Sequence, residues 1–167
     1  MKKTILLSIT LIFVLGLTGC GVDNYMENKV ENEMEKSLGQ NVEVDMDGGE
    51  IKIETEDGIM IEAGENVDLP SDFPEDVYVV EGTVKSVMKN PVGEGYSITI
   101  ETDKNVEDVK NIYTEKLPED GWVLNAQMNL GEMAVVSGTK ETSSVSVSIS
   151  IQDEMTFVVL TVMNEGV

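Results

Sequence analysis

The chain has 167 residues, and its 32 acidic and 11 basic side chains give a formal net charge of −21. This charge argues against nucleic-acid binding, because an acidic surface repels phosphate groups. All 11 basic residues are lysines, so the chain lacks histidine, the commonest general base and transition-metal ligand, and arginine, the bidentate clamp for anions.

The first nineteen residues have the three-part pattern of a secretory signal peptide. Lys2 and Lys3 precede an almost wholly apolar stretch, residues 5–17, which ends in the small residues Thr18 and Gly19. The apolar stretch is shorter than the ~20 residues that a transmembrane helix needs. We therefore predict that residues 1–19 are a signal peptide rather than a membrane span.

The end of this leader, Leu17-Thr18-Gly19-Cys20, resembles the lipobox of bacterial lipoproteins. The resemblance implies cleavage between Gly19 and Cys20 and attachment of a diacylglyceryl group, with chains such as palmitate, to Cys20. Two acyl chains hold a protein durably, since each buried methylene contributes ~0.8 kcal/mol. We expect a lipid-anchored protein in the outer leaflet of the cell membrane, on its extracytoplasmic face. The alternative is an ordinary signal peptide with an incidental cysteine.

Cleavage at this position has two consequences for the mature chain. Cys20 is the only cysteine, so its lipidation leaves no thiol for a disulfide. Loss of Lys2 and Lys3 leaves 9 lysines against 32 acidic residues, a net charge near −23. Such a charge keeps a protein soluble, and it can also attract cations or a basic partner.

Residues 20–40 are predicted to carry the lipid anchor and a short helix. Apolar residues recur at every fourth position from Met26 to Leu38, which predicts a helix over residues 22–38 with one narrow apolar stripe. Such a stripe packs against a sheet or a partner helix, and the helix could also hold the following domain away from the membrane.

Two further segments are predicted before the main domain. Over residues 41–65, apolar and charged residues alternate between two glycine-containing turns, which predicts a three-strand β-meander. Residues 66–76 contain two prolines and are predicted to be a linker. We expect Leu69 and Phe73 of this linker to insert into a neighbouring core.

Residues 77–165 are predicted to form an α+β domain. Residues 77–80 and 82–88 are predicted to be strand-like, and residues 96–101 alternate as a further strand. The helix that follows has Asn105 as its N-cap and ends at Pro118. Gly121 and Trp122 then lead into four more strands. The predicted fold class is therefore α+β: an antiparallel sheet with one main packed helix, in the order ββαββββ, preceded by the short helix and the separate small meander.

Two features within residues 40–165 resemble a family of uncharacterised bacterial envelope lipoproteins. One is the LPxDFPxDV segment at residues 69–77, and the other is the helix that runs into Gly121-Trp122. The resemblance implies the fold and the envelope location. It brings no catalytic residues, and Pro118 departs from the family pattern because that pattern continues the helix nearer to the Gly-Trp pair.

No catalytic residue, metal site or cofactor is assigned. Asp45, Asp47 and Glu56 have part of the spacing of a calcium loop, but the EF-hand positions five and six are wrong and a hairpin is favoured. Weak calcium binding by acidic clusters such as Glu54, Glu56 and Asp57 stays open. Trp122 is interpreted as a core residue rather than a sugar-stacking platform.

The sequence thus predicts a non-enzymatic binding or interaction module at the cell envelope, with a protein or an envelope polymer as its partner. The surfaces of interest are the exposed face of the sheet and the acidic loops. One alternative is a carboxylate-dependent hydrolase that acts on cell-wall or glycan polymers. The other is a structural spacer that presents an acidic surface.

Overall fold

The structure is a computed structural model that describes residues 23–38, 41–47, 49–90 and 95–164. The predicted leader, with its cleavage residue Gly19 and lipidation site Cys20, lies outside these residues. In the ranges described, no helix combines the length and the apolar composition needed to cross a membrane. The elements are α1 (Asp23–Leu38), β1 (Val42–Asp47), β2 (Glu50–Thr55), β3 (Met60–Ala63), β4 (Thr83–Asn90), β5 (Gly95–Thr102), α2 (Val106–Glu119), β6 (Val123–Asn129), β7 (Met133–Lys140), β8 (Ser143–Gln152) and β9 (Met155–Asn164).

All nine of these strands belong to one antiparallel sheet, in the order β1-β2-β3-β4-β5-β9-β8-β7-β6. After β5 the chain passes through α2 to β6 at the far edge. It then returns by three hairpins to β9, which pairs with β5. The strands β1 and β6 are therefore the two edges of the sheet.

The predicted fold class is wrong. The meander strands do form and pair in sequence, but they are not a separate element, because β3 pairs with β4 and extends the main sheet. The described protein is one long sheet with two helices rather than a small sheet with one main helix. Alternation along a strand reveals its apolar face but not its neighbour, so the pattern alone could not show this pairing.

The two helices pack on opposite faces of this sheet. Residues directly opposite each other on paired antiparallel strands share a face. Through successive pairs, the apolar Val44 of β1 shares its face with Ile61 of β3, which shares it with Ser97 of β5. We call this face the outer face and the other the inner face. The apolar side of the sheet thus changes between β3 and β4.

Two hydrophobic cores follow from this change. The main core lies on the inner face of β4, β5 and β7–β9 beneath α2, and Ile98, Leu160 and Val147 are fully buried there. The small core lies on the outer face of β1–β3, where Val42, Val44 and Ile53 are buried. The helix predicted over residues 22–38 is confirmed as α1, and its residues Val30 and Met34 pack on this small core.

The segment between β3 and β4 covers part of the main core without forming a strand. Phe73 packs against the main core as expected, whereas Leu69 is 39% exposed, so that prediction is wrong. The strand predicted over residues 77–80 is absent, although Val77 and Val80 are buried. The division of the chain into a meander, a linker and a main domain stays a prediction.

Residues at the two ends of α2 determine where the helix begins and ends. Asn105 is the N-cap, as predicted, and its side chain accepts a hydrogen bond from the Asp108 backbone N–H at 2.9 Å. Pro118 does not end the helix, which continues to Glu119. Gly121 then adopts φ +90°, and the Trp122 N–H donates to the Leu117 carbonyl, which turns the chain into β6.

Candidate binding surface

The regularly spaced serines of β8 lie on the outer face. Ser144, Ser146, Ser148 and Ser150 alternate with the buried residues of the same strand, which face the main core. The strand thus has one dry side and one hydroxyl side, as its alternating sequence predicts. These serines form the middle of a surface that extends across the neighbouring strands.

The strands on either side add apolar side chains to this surface. Ser148 lies between Val159 of β9 and Val135 of β7, and Met128 of β6 lies beyond Val135. One row further along, Ser150 lies between Phe157 and Met133. We call the outer face of β6–β9 the open patch. Methionine, valine and phenylalanine side chains there surround a central line of hydroxyl groups.

Large apolar groups on the open patch are exposed to solvent. Met128 is 51% exposed, Met133 49%, Met163 50% and Val159 38%. Among the described elements, α1 contacts β1, whereas α2 contacts β6, β7 and β8 from the inner face. In the part of the chain that the structure describes, neither helix therefore covers the open patch. Exposed apolar side chains grouped on one face of a protein can mark an interaction site.

Strands β6–β9 carry no charged residue on the open patch. Lys140 is the single charged residue within these four strands. It points to the other side, where its Nζ donates hydrogen bonds to Asp76 Oδ2 at 2.6 Å and to the Asp120 carbonyl at 2.8 Å. In a chain of net charge −21, an uncharged surface spanning four strands stands apart from the rest of the molecule.

The space between α2 and the sheet is filled by side chains. Val109, Tyr113 and Leu117 of α2 are all 0% exposed. The Tyr113 hydroxyl accepts a hydrogen bond from the Val80 N–H at 3.3 Å, and burial raises the pKa of that hydroxyl well above its ordinary value. This region is therefore a packed core.

Trp122 is a core residue, as predicted. It is 3% exposed, and its indole Nε1–H donates to the Asp76 carbonyl at 2.8 Å. The ring is thus buried with its polar atom satisfied, and it does not present a face for stacking on a sugar.

The acidic residues of the meander line a shallow depression on the inner face. Its volume is about 310 Å³, and Asp45, Glu62 and Asp68 are among the acidic residues that surround Lys52. The Lys52 Nζ lies 3.1 Å from Glu54 Oε1, and hydrogen bonding to Glu54 raises the pKa of Lys52. The lining of the depression thus combines several carboxylates with the ammonium group of Lys52.

The acidic residues considered for calcium belong to a hairpin. Asp45 and Asp47 lie on β1 and pair with Lys52 and Glu50 of β2, so the hairpin interpretation is confirmed. Within the described ranges, no three acidic side chains converge closely enough to hold a metal ion. Weak calcium binding by the acidic clusters stays a prediction.

Comparison with known proteins adds one similarity. Residues 83–155 match the model of a START domain-like family, a binding fold. The match runs from the first residue of β4 to the first residue of β9 and therefore includes α2 and most of the open patch. No curated protein matches the chain. Phe157, Val159 and Met163 of β9, which belong to the open patch, lie outside the matched range.

Sequence analysis pointed to the exposed face of the sheet but did not identify the apolar members of the open patch. Met128 and Met133 share a face with Ser148 and Ser150 only because of how β6, β7 and β8 pair. One signal was present in the sequence: after α2, nearly every charged residue falls in a turn, such as Glu132 and Asp153. Strands free of charge on both faces indicate an uncharged exterior as well as a core.

Proposed function

We propose that the protein is a lipid-anchored, non-enzymatic binding module on the extracytoplasmic face of the cell membrane, and that the open patch is its binding surface. The observation that carries this proposal is the exposed, uncharged apolar surface on an otherwise acidic protein. The partner is a protein or an envelope polymer that offers an uncharged surface with apolar groups and hydrogen-bonding groups.

The location rests on the leader. Leu17-Thr18-Gly19-Cys20 supplies the lipidation pattern, and α1 begins three residues after Cys20. A lipid on Cys20 would therefore enter the membrane close to the β1 edge of the sheet. The surface near the membrane would then be acidic, which opposes adhesion of the domain to anionic lipid headgroups.

The binding role rests on the two faces of the sheet. The inner face of β6–β8 is closed by α2 and by packed side chains, whereas the open patch on their outer face offers exposed methionines beside hydroxyl groups. Methionine adapts to irregular partner surfaces, and serine and threonine hydroxyls both donate and accept hydrogen bonds. At the border of the open patch, the Thr161 hydroxyl of β9 lies 3.2 Å from the Ser97 hydroxyl of the neighbouring strand β5.

Metabolic labelling tests the anchor. Cells that produce the wild-type chain are grown with radiolabelled palmitate beside cells that produce Cys20→Ser. We expect label on the wild type in the membrane fraction, and we expect Cys20→Ser to carry no label and to leave the membrane or stay unprocessed. An unlabelled wild-type protein would overturn the lipid anchor.

Crosslinking and co-purification from intact membranes test the open patch. Val159→Lys places an ammonium group in the middle of the patch, and Leu69→Lys is the matched control, because these residues are 38% and 39% exposed. A charge buried without a partner is costly, so we expect at least tenfold less partner with Val159→Lys. Equal recovery from both variants would contradict the assignment of the surface.

A further inference from the structure

The two edges of the sheet differ in how they are protected. An edge strand exposes unpaired backbone groups, and proteins normally block it with charges, bulges or a covering element. The strand β1 carries Glu43, Asp45 and Asp47. It is also covered by α1, where Glu31 Oε1 accepts a hydrogen bond from the Val44 backbone N–H at 3.2 Å. The β1 edge is therefore closed to another strand.

The strand β6 at the other edge carries no charge, with the sequence VLNAQMN. One feature that opposes pairing with another strand is present: the register between β6 and β7 shifts between Leu124 and Ala126. Regular strand geometry is therefore limited to the second half of β6. From Ala126 onward the pairing with β7 is regular, and side chains on β6 are mostly exposed. The segment Ala126–Leu130 is thus an uncovered edge within the described part of the molecule.

Backbone alternation identifies which groups of this segment point outward. The Leu130 N–H donates to the Met133 carbonyl at 2.8 Å. Hydrogen-bonded pairs alternate with non-hydrogen-bonded pairs along an antiparallel ladder, so Met128 also bonds to β7. The backbone N–H and C=O groups of Gln127 and Asn129 therefore point away from the sheet, toward any strand added at this edge.

The side chains of this segment are arranged symmetrically about Met128. The sequence is Ala126-Gln127-Met128-Asn129-Leu130, with apolar residues at the ends and centre and an amide on each side of the centre. In an antiparallel pair of two such segments centred on Met128, Gln127 faces Asn129 of the other copy and Ala126 faces Leu130. Every contact then joins like with like.

We infer that the protein forms a symmetric dimer in which β6 of one copy pairs antiparallel with β6 of a second copy, centred on Met128. The outward backbone groups of Gln127 and Asn129 bond reciprocally across the axis. Exposed apolar groups become buried, since Leu130 is 72% exposed and Met128 is 51% exposed in the single chain. Such an isologous contact closes the assembly at two copies.

Charge favours a second copy as the occupant of this edge. Two molecules of net charge −21 repel each other least where neither presents a charged strand, and the acidic strands β1–β3 lie at the opposite end of the sheet. Pairing through β6 holds the two acidic ends as far apart as the sheet allows. It buries Met128 at the margin of the open patch and leaves the β7–β9 part of both patches exposed, so the dimer and the proposed partner binding use different strands.

Cysteine crosslinking tests the register. All variants are full-length chains with Cys20→Ser, so that an introduced cysteine is the single thiol. In the proposed pair, Met128 faces its own copy as a non-hydrogen-bonded pair, with Cα atoms ~4.5 Å apart, which a disulfide can span. We expect Met128→Cys to form a dimer on mild oxidation, visible on a non-reducing gel. The control is Met163→Cys, at 50% exposure on β9, which should stay monomeric.

Sedimentation of the same chains without introduced cysteines, in mild detergent, tests the association itself. We expect a dimer for the Cys20→Ser chain and at least a tenfold higher dissociation constant for Met128→Lys, because two ammonium groups then meet at the axis. Met163→Lys should leave the dimer intact. A monomer at every concentration, or equal crosslinking through Met128→Cys and Met163→Cys, would overturn the proposal.

Discussion

Strands β1–β3 and strands β6–β9 belong to one sheet but differ in their charge and in the size of the hydrophobic core that they bury. In the first group, acidic residues occur in all three strands, and only a small core is buried under α1. The second group has a single lysine and contributes most of the main core. Continuity of hydrogen bonding therefore does not imply equal stability along the sheet.

This difference predicts that the sheet unfolds from its acidic end. Local opening occurs where few apolar contacts oppose it, and β1–β3 also repel one another through like charges. The edge β6 lies next to the main core and should stay ordered after β1–β3 have opened. The following variants test this comparison, beginning with the largest expected effect.

Leu160→Ala should cause the largest loss. Leu160 is 0% exposed in the middle of the main core, and its truncation leaves a cavity that costs about 2–5 kcal/mol in the free energy of unfolding. Urea denaturation measures this loss. The neighbouring Val159→Ala, at an exposed position, should change stability by no more than about 0.5 kcal/mol. Equal effects of the two variants would show that the faces have been assigned wrongly.

Ile53→Ala should cause a smaller and local loss. Ile53 is 3% exposed in the small core, which is thin and can collapse around a truncated side chain, so we expect about 2 kcal/mol, at the low end of the usual range. Hydrogen exchange should accelerate in β1–β3 while β8 and β9 keep their protection. Uniform acceleration across all nine strands would contradict the difference between the two regions.

Asn105→Ala should weaken the main region by about 1 kcal/mol through loss of the helix cap. The Asn105 side chain accepts the Asp108 N–H at 2.9 Å, and alanine leaves that N–H without this partner. Thermal unfolding followed by circular dichroism measures the effect. Asn105→Ser, which retains a capping oxygen and places no second carboxylate beside Asp108, is the control and should stay close to the wild type.

The smallest effect concerns pH and the segment between the two regions. A hydrogen bond from Lys89 lowers the pKa of Asp72. A carboxyl group whose pKa is lowered by folding contributes stability above its ordinary pKa, and this is lost as the pH falls through the lowered value. Both groups are exposed, so the effect is slight. Comparing melting temperatures of the wild type and Asp72→Asn between neutral and acidic pH should show the difference shrinking in acid.

Local features of the fold could be predicted from the sequence because each depends on neighbouring residues. The sequence predicted four strands after the helix, which are β6–β9, and the cap at Asn105 located the start of α2. The wrong prediction at residues 77–80 has a topological cause. Strand β4 already pairs with β3 and β5, so residues 77–80 find no free edge beside it. They pack against the main core instead, and the Val80 N–H donates to the Tyr113 hydroxyl rather than to a strand.

The remaining features depend on contacts between distant segments. The pairing of Ile61 with Met88 joins the meander to the main sheet across the proline-containing segment, and no local pattern encodes it. The open patch depends on the same kind of information, since the position of β6 at an edge follows from the return of β9 to β5. The grouping of Met128 and Met133 with the serines of β8 therefore follows from strand pairing, which residue types alone do not show.

The order of the strands also sets a length scale. Eight inter-strand spacings of ~4.8 Å separate β1 from β6, a span of roughly 38 Å. The described part of the chain begins with α1, which packs beside β1. In a molecule anchored before α1, the edge strand β6 would therefore lie at the end of the sheet farthest from the anchor. Two neighbouring anchored molecules could then contact each other through their β6 edges while their acidic strands β1–β3 stayed well apart on the bilayer.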